Sequence, residues 1–112
     1  MTELSQRRCV PCEGGIAPLS RGAAEEVLQR LDENWQLALD ATSIQREFRF
    51  KDFLRTMSFV NAVAHVSNIE DHHPDLEVGY DYCRVRYTTH AIGGLSENDL
   101  ICAAKIDQLP TS

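Results

Sequence analysis

The hydrophobic period of this 112-residue chain changes several times after residue 20, and this succession constrains the fold more than any other feature. Apolar residues recur at helical spacing from Ser20, from Asp52 to about Ile69, and again after Ser96. Between these segments, apolar and polar residues alternate in two pairs of short runs, as in half-buried strands. The predicted order is therefore helix, two strands, helix, two strands, helix.

These patterns also predict which side chains face the core. Three helices on one face of a four-stranded antiparallel sheet would bury every apolar stripe in two layers, which is an α+β fold. One sheet face or edge would stay uncovered, which is compatible with self-association. The predicted core residues are, in chain order, Ala24, Val27, Leu28, Leu31, Trp35, Leu37, Leu39, Ile44, Phe48, Phe50, Phe53, Met57, Val60, Val63, Ala64, Leu76, Val78, Tyr80, Cys83, Val85, Tyr87, Leu100, Ala103 and Ala104.

The length predicts one domain, with residues 1–18 as an irregular lead-in and residues 19–110 as the folded part. A net charge of −6 argues against nucleic acid as a partner, because phosphate binding needs a concentrated positive field. The chain starts without the apolar core of a secretory signal and contains no apolar run of about 18 residues. We therefore expect a cytoplasmic protein that has no membrane contact.

The four cysteines do not form an obvious disulfide framework. Cys83 and Cys102 lie in periodic segments and are expected in the core, with reduced thiols. Cys9 and Cys12 have the C-x-x-C spacing of a zinc knuckle, but no second half follows at a suitable distance. Structural zinc is therefore the weaker interpretation, and no metal site is predicted.

The densest group of chemically capable residues is the pair His72 and His73, which follows the long helix and precedes Pro74. Imidazole gives and takes protons near neutral pH. Proline favours extended backbone before it, so the two rings would point in different directions. Taken alone, this segment is an ordinary loop. A third imidazole, His90, follows the last predicted strand and leads into a glycine-containing loop, where functional groups are often placed.

Two further residues need an assignment. Asp99 is the third residue after Ser96 and would complete a helix capping box. Its carboxylate could also hold an imidazole in one tautomer, and the two roles are compatible. His65 lies within the long helix with no partner in sequence, so we expect it to be a structural or surface residue.

The combined motifs resemble those of the pterin-4a-carbinolamine dehydratase family. The resemblance covers residues 20–109 and includes Phe50-Lys51-Asp52-Phe53, His72-His73-Pro74-Asp75, Thr89-His90, Gly93-Gly94-Leu95-Ser96 and Asp99. It implies the α+β fold predicted above, and a hydro-lyase that converts 4a-hydroxy-tetrahydropterin into quinonoid dihydropterin during tetrahydrobiopterin recycling. It also implies that no metal or organic cofactor is needed, that the chain forms a homodimer or homotetramer, and that it acts beside a phenylalanine hydroxylase.

The resemblance also implies roles for individual residues. His72 and His90 would be the acid/base pair, His73 would position the pterin, and Asp99 would orient a histidine. The full set of implied catalytic and substrate-binding residues is Asn68, Asp71, His72, His73, Pro74, Thr88, Thr89, His90, Ala91 and Asp99.

Two positions depart from the family pattern. Asn68 stands where many members have a glutamate, and it can hydrogen-bond a pterin but cannot act as a base. Leu76 stands where many members have an aromatic residue. These changes favour the alternative of a non-catalytic module that binds a protein partner, whereas the retained histidines favour the enzyme. A third alternative is a metal-binding protein that uses the same histidines.

Overall fold

The computed structural model describes residues 3–10 and 17–111, and these form the predicted succession of helices and strands. In these two ranges, no helix combines the length and the apolarity that crossing a membrane requires. The elements are α1 (Arg21–Leu28), β1 (Gln36–Leu37), β2 (Ile44–Arg49), α2 (Phe53–Glu70), β3 (Asp75–Val78), β4 (Tyr82–Tyr87) and α3 (Glu97–Asp107), with 3₁₀ turns at Leu4–Gln6 and His90–Ile92.

The four strands form one sheet in the order β1-β2-β4-β3, and every neighbouring pair is antiparallel. On one face, Glu47 pairs with Arg84 at 2.7 Å in solvent. The other face is covered, and the α+β prediction with its element order is confirmed. The side chains of the covered face are at most 4% exposed, and they are Ile44, Phe48, Cys83, Val85 and Tyr87.

Each helix begins at a residue that the sequence predicts as its start. The side chains of Ser20 and Asp52 accept hydrogen bonds from backbone N–H groups at the beginning of α1 and α2. Before α3, Ser96 and Asp99 form the predicted capping box, in which the Ser96 N–H donates to Asp99 Oδ2 at 2.9 Å. These caps satisfy backbone donors that a helix start leaves unpaired.

The predicted inner stripe of α2 is wrong except for Val63. Phe53 is 49% exposed, and Ala64 is also exposed. The stripe that faces the core is offset by one residue and is largely polar: Thr56, Phe59, Val63, Ser67 and Glu70. Hydrophobic periodicity points to the wrong face because the buried polar groups find partners, as in the hydrogen bonds from Thr56 Oγ1 to two carbonyls and from Ser67 Oγ to the Val63 carbonyl.

Two edge strands are also shorter than the alternation predicts. Strand β1 ends at Leu37, and Leu39 lies in the following turn with 97% of its surface exposed. Strand β3 ends at Val78, which is 39% exposed, and Tyr80 lies beyond it at 66%. An edge strand has one neighbour and a partly uncovered face, so alternating apolar residues there do not guarantee burial.

Candidate active site

The segment that carries two of the histidines begins at a sharp turn at the end of α2. Asp71 has left-handed backbone, with φ 52° and ψ 41°, which aspartate adopts more readily than most residues. Its N–H and that of His72 both donate to the Ser67 carbonyl, which closes the helix. The turn thereby directs His72 and His73 out of the helix and towards β3.

His72 is held by a buried carboxylate. Its Nε2–H donates to Asp99 Oδ1 at 2.6 Å, and Asp99 is fully buried. The other carboxylate oxygen accepts Thr89 Oγ1 at 2.8 Å and the Ser96 N–H, so Asp99 caps α3 and orients the imidazole at once. The Tyr87 ring stacks on the imidazole, with centroids 5.8 Å apart and planes 8° from parallel. The position and the tautomer of His72 are therefore both fixed.

The electrostatics of His72 favour its protonated form. Burial alone would lower the pKa of the imidazole, but the hydrogen bond and the charge of Asp99 outweigh burial and raise the pKa above its ordinary value. Because Nε2 is engaged with Asp99, proton exchange with a bound molecule falls to Nδ1.

His90 is presented by a closed loop after β4. Thr89 and Gly94 exchange two backbone hydrogen bonds, of 2.9 and 3.4 Å, across the 3₁₀ turn at His90–Ile92. Gly93 supplies the left-handed backbone of this loop, with φ 66°. At Gly94, a Cβ would lie 2.7 Å from the Pro18 side chain. This glycine therefore lets the segment before α1 approach closely, and the loop that carries His90 is packed against the protein.

These segments converge on a cavity of about 600 Å³, a volume suited to a small-molecule ligand. It includes His72, His73 and His90. Its lining residues are Cys9, Val10, Glu70, Asp71, His72, His73, Thr88, Thr89, His90, Ala91 and Asn98. Seven predicted site residues therefore line one cavity, with Asp99 directly behind His72.

Some predicted residues lie elsewhere. Among the described residues, Asn68 and Pro74 are not part of the cavity lining. His65 is exposed on α2, as expected for a surface histidine. Cys83 and Cys102 are fully buried in the core, as predicted, whereas Cys12 lies outside the described residues. Residues 3–10 and 17–111 bring no three His, Cys, Asp or Glu side chains together in a group that could hold a metal ion.

Sequence reasoning missed four residues of the lining: Cys9, Val10, Glu70 and Asn98. Glu70 stands two residues before His72, which was the one local signal available. A second cavity of similar volume lies beside the 3₁₀ turn at Leu4–Gln6, and its described lining contains no histidine. Chemistry, not size, therefore distinguishes the candidate site.

The fold and this histidine-lined cavity agree with a comparison of the sequence with protein families. The family model described as "Pterin 4 alpha carbinolamine dehydratase" matches residues 17–109, and the chain belongs to that family. It is 60% identical over 107 residues to a protein of Nitrosomonas europaea that is provisionally named pterin-4-alpha-carbinolamine dehydratase, covering 96% of this chain and 93% of the relative. A protein of Legionella pneumophila with the same provisional name is 52% identical, with 96% of each chain covered.

Two solved structures resemble the fold. The crystal structure of a "transcriptional coactivator/pterin dehydratase" from Brucella melitensis matches with a TM-score of 0.74 and 31% identity, covering 80% of this chain and 94% of the other. A "pterin dehydratase-like protein", described as a RuBisCO assembly factor in the α-carboxysome, matches with a TM-score of 0.58 and 21% identity, covering 67% and 87%. The second likeness concerns the fold alone.

Proposed function

We propose that this protein dehydrates 4a-hydroxy-tetrahydropterin to quinonoid dihydropterin by histidine acid/base catalysis. The observation that carries the proposal is the convergence of three imidazoles on one cavity, with His72 held against the buried carboxylate of Asp99. Membership of the pterin dehydratase family supports the choice of substrate class.

The reaction requires two proton transfers. The C4a–O bond breaks as the departing hydroxyl takes a proton and leaves as water, and the proton on N5 is removed as the C4a=N5 double bond forms. Positioned general acids and bases each contribute about 10²- to 10⁴-fold to such a step. Two imidazoles on one cavity can therefore supply the catalysis without a further cofactor.

The geometry supports a division of labour between the histidines. His72 is the general acid in this proposal, because Asp99 favours its protonated form and leaves Nδ1 as the nitrogen that can donate. His90 is the general base that takes the N5 proton from its closed loop. His73 and the backbone of Asp71 and residues 88–91 position the pterin. Asn68 and Pro74 act only through their neighbours.

The decisive experiment is stopped-flow dehydration of freshly generated 4a-hydroxy-tetrahydropterin, with and without the purified protein. We expect acceleration by the native chain and none by the double variant His72→Ala, His90→Ala. The matched control is His65→Ala, which removes an exposed imidazole of α2 and should keep turnover within about twofold. A folded native chain that gives no acceleration would refute the enzyme.

A non-catalytic binding function is the second candidate, and one feature favours it. Large apolar side chains are exposed on α2 and just after β3, namely Phe53 at 49%, Leu54 at 75%, Ile69 at 52% and Tyr80 at 66%. Exposed apolar surface of this kind is typical of protein contacts. Coactivator and assembly roles also stand in the titles of the two similar structures.

The same surface fits the enzyme as a homodimer or homotetramer, which we propose as its working form. Its proposed setting is the cytoplasm, where the buried thiols of Cys83 and Cys102 stay reduced, in a pathway with a phenylalanine hydroxylase. Size-exclusion chromatography with light scattering tests the assembly, and turnover of a folded oligomer excludes the purely structural role.

A further inference from the structure

Residues 3–10 form an amino-terminal arm that lies against α3 and reaches the candidate site. Leu4 is 8% exposed within the hydrophobic core, and the Ser5 carbonyl accepts Lys105 Nζ at 2.9 Å. At the other end of the arm, Cys9 and Val10 line the cavity, where Val10 is 66% exposed. The arm thus places an apolar side chain beside the histidines.

The carboxylate of Glu70 holds the arm in this position. Its side chain is 4% exposed, and Oε1 accepts the Cys9 N–H at 2.8 Å. Oε2 lies 3.0 Å from Arg8 Nε and 4.0 Å from Lys105 Nζ. A buried carboxylate is costly unless it is paired, so the arm supplies most of what makes Glu70 tolerable at this site. Burial alone would raise the pKa of Glu70, but these partners hold it below its ordinary value.

A second anchor comes from α3. The Asn98 side chain is a buried amide that pairs with both backbone groups of Val10: Oδ1 accepts the N–H at 3.0 Å, and Nδ2 donates to the carbonyl. The Cys9 thiol also lies 3.4 Å from the Cys102 thiol. Backbone and side chain are therefore both fixed where the arm meets the cavity.

The arm lies outside the part of the chain that the family model matches, which begins at residue 17. The relative from Nitrosomonas europaea nevertheless matches over 96% of this chain. What the family shares therefore does not predict a role for the arm.

We propose that the arm is a fixed wall of the pterin pocket, that Cys9 and Val10 contact the bound pterin, and that Glu70 is the positioning residue that keeps them there. This inference rests on the proposed function, because it takes the ligand of the cavity to be a pterin. Glu70 acts through the arm and takes no part in proton transfer, so its effect belongs to binding.

The first test uses the native chain and alkylation by iodoacetamide. The hydrogen bond with the Cys102 thiol lowers the pKa of Cys9, which makes its thiolate available for labelling. Saturation with 7,8-dihydrobiopterin at ten times its Kd should slow labelling of Cys9 about tenfold, in proportion to the unbound fraction. Mass spectrometry with fragment ions separates Cys9 from Cys12, and calorimetry measures pterin binding independently.

The two readouts separate the inference from the proposed function. Pterin binding by calorimetry with an unchanged Cys9 labelling rate would overturn the wall and leave the enzyme standing. Absence of pterin binding would overturn both. This test needs no variant, so it decides the question even where a substitution at Glu70 lowers stability.

The second test compares substitutions at Glu70 with a control on the same arm. Glu70→Ala should raise the Kd for 7,8-dihydrobiopterin about fivefold while kcat stays within about twofold, because positioning affects binding more than the proton transfers. Glu70→Gln keeps an acceptor for the Cys9 N–H and should restore most of the affinity. Glu97→Ala breaks the exposed Arg7–Glu97 pair and should have no effect. An unchanged Kd in a folded Glu70→Ala variant would refute the role of Glu70.

Discussion

Helix α3 carries a buried aspartate near each end, and the two carboxylates differ in the chemistry of their partners. Near the beginning, Asp99 accepts hydrogen bonds from His72, Thr89 and the Ser96 N–H. At the end, Asp107 accepts Trp35 Nε1 and Arg46 Nη1, both at 2.7 Å, and the Asp32 N–H at 3.1 Å. Each carboxylate therefore receives a ring N–H and two further donors.

The partners of Asp107 keep their protons throughout the physiological range, because neither indole nor guanidinium titrates there. The imidazole beside Asp99 does titrate, and it faces the cavity of the candidate site. One carboxylate thus holds elements of the fold together, whereas the other also biases a proton that can be exchanged. Burial and hydrogen-bond number do not distinguish a site from a structural cluster, but the nature of the donor does.

The largest expected effect comes from replacing the ring donors. His72→Gln keeps an amide donor for Asp99 but removes the exchangeable proton, so the catalysed dehydration rate should fall about 10²- to 10⁴-fold. Trp35→Phe removes the donor to Asp107 and should keep turnover within about twofold while lowering the free energy of unfolding by about 1–2 kcal/mol. Stopped-flow kinetics and urea titration measure the two quantities. Equal losses of rate in both variants would erase the contrast.

The next effect comes from the carboxylates themselves. Asp99→Asn leaves an oxygen for the helix cap but weakens the hold on His72, and we expect about a 10- to 100-fold loss of rate. Asp107→Asn should instead lower the free energy of unfolding by about 1–3 kcal/mol, because Arg46 is only 15% exposed and loses its closest counter-charge. Its turnover, measured below the unfolding transition, should be close to native.

The smallest effect is a dependence of stability on pH. The pKa of His72 is raised in the folded chain, so its protonated form contributes stability fully below the ordinary imidazole pKa of about 6.5. That contribution is lost as pH rises through the folded pKa. The difference in unfolding free energy between the native chain and His72→Gln should therefore shrink from pH 6 upward, measured by urea titration at several pH values. The difference for Trp35→Phe should stay constant, and a parallel drift would contradict the assignment.

Much of the site follows from local sequence, since caps and strand ends have short-range signatures. The spacing of Ser96 and Asp99 predicts the capping box, and the same carboxylate also meets His72. The alternation through Val85 and Tyr87 predicts the strand that delivers His90. These residues act where their immediate neighbours place them, so the pattern of the chain is sufficient.

The rest depends on contacts that no local pattern encodes. Thr56, Ser67 and Glu70 face the core of α2 because distant or backbone groups satisfy them, so hydrophobic periodicity selects the wrong stripe. Leu39 is apolar and exposed because its strand ends two residues earlier. The arm meets Glu70 across 61 residues of sequence, and only the tertiary fold brings the two together.

The contact between the arm and α3 has a consequence for biosynthesis. Residues 98–107 are among the last to leave the ribosome, whereas Cys9 and Val10 are among the first. At about 5–20 residues per second, the arm waits roughly 4–18 seconds for Asn98 to be made. Throughout that interval Glu70, once synthesised, lacks Lys105, and His72 lacks Asp99. The pocket therefore closes after translation has nearly finished, and nascent chains that stop before α3 should carry all three imidazoles without an organised site.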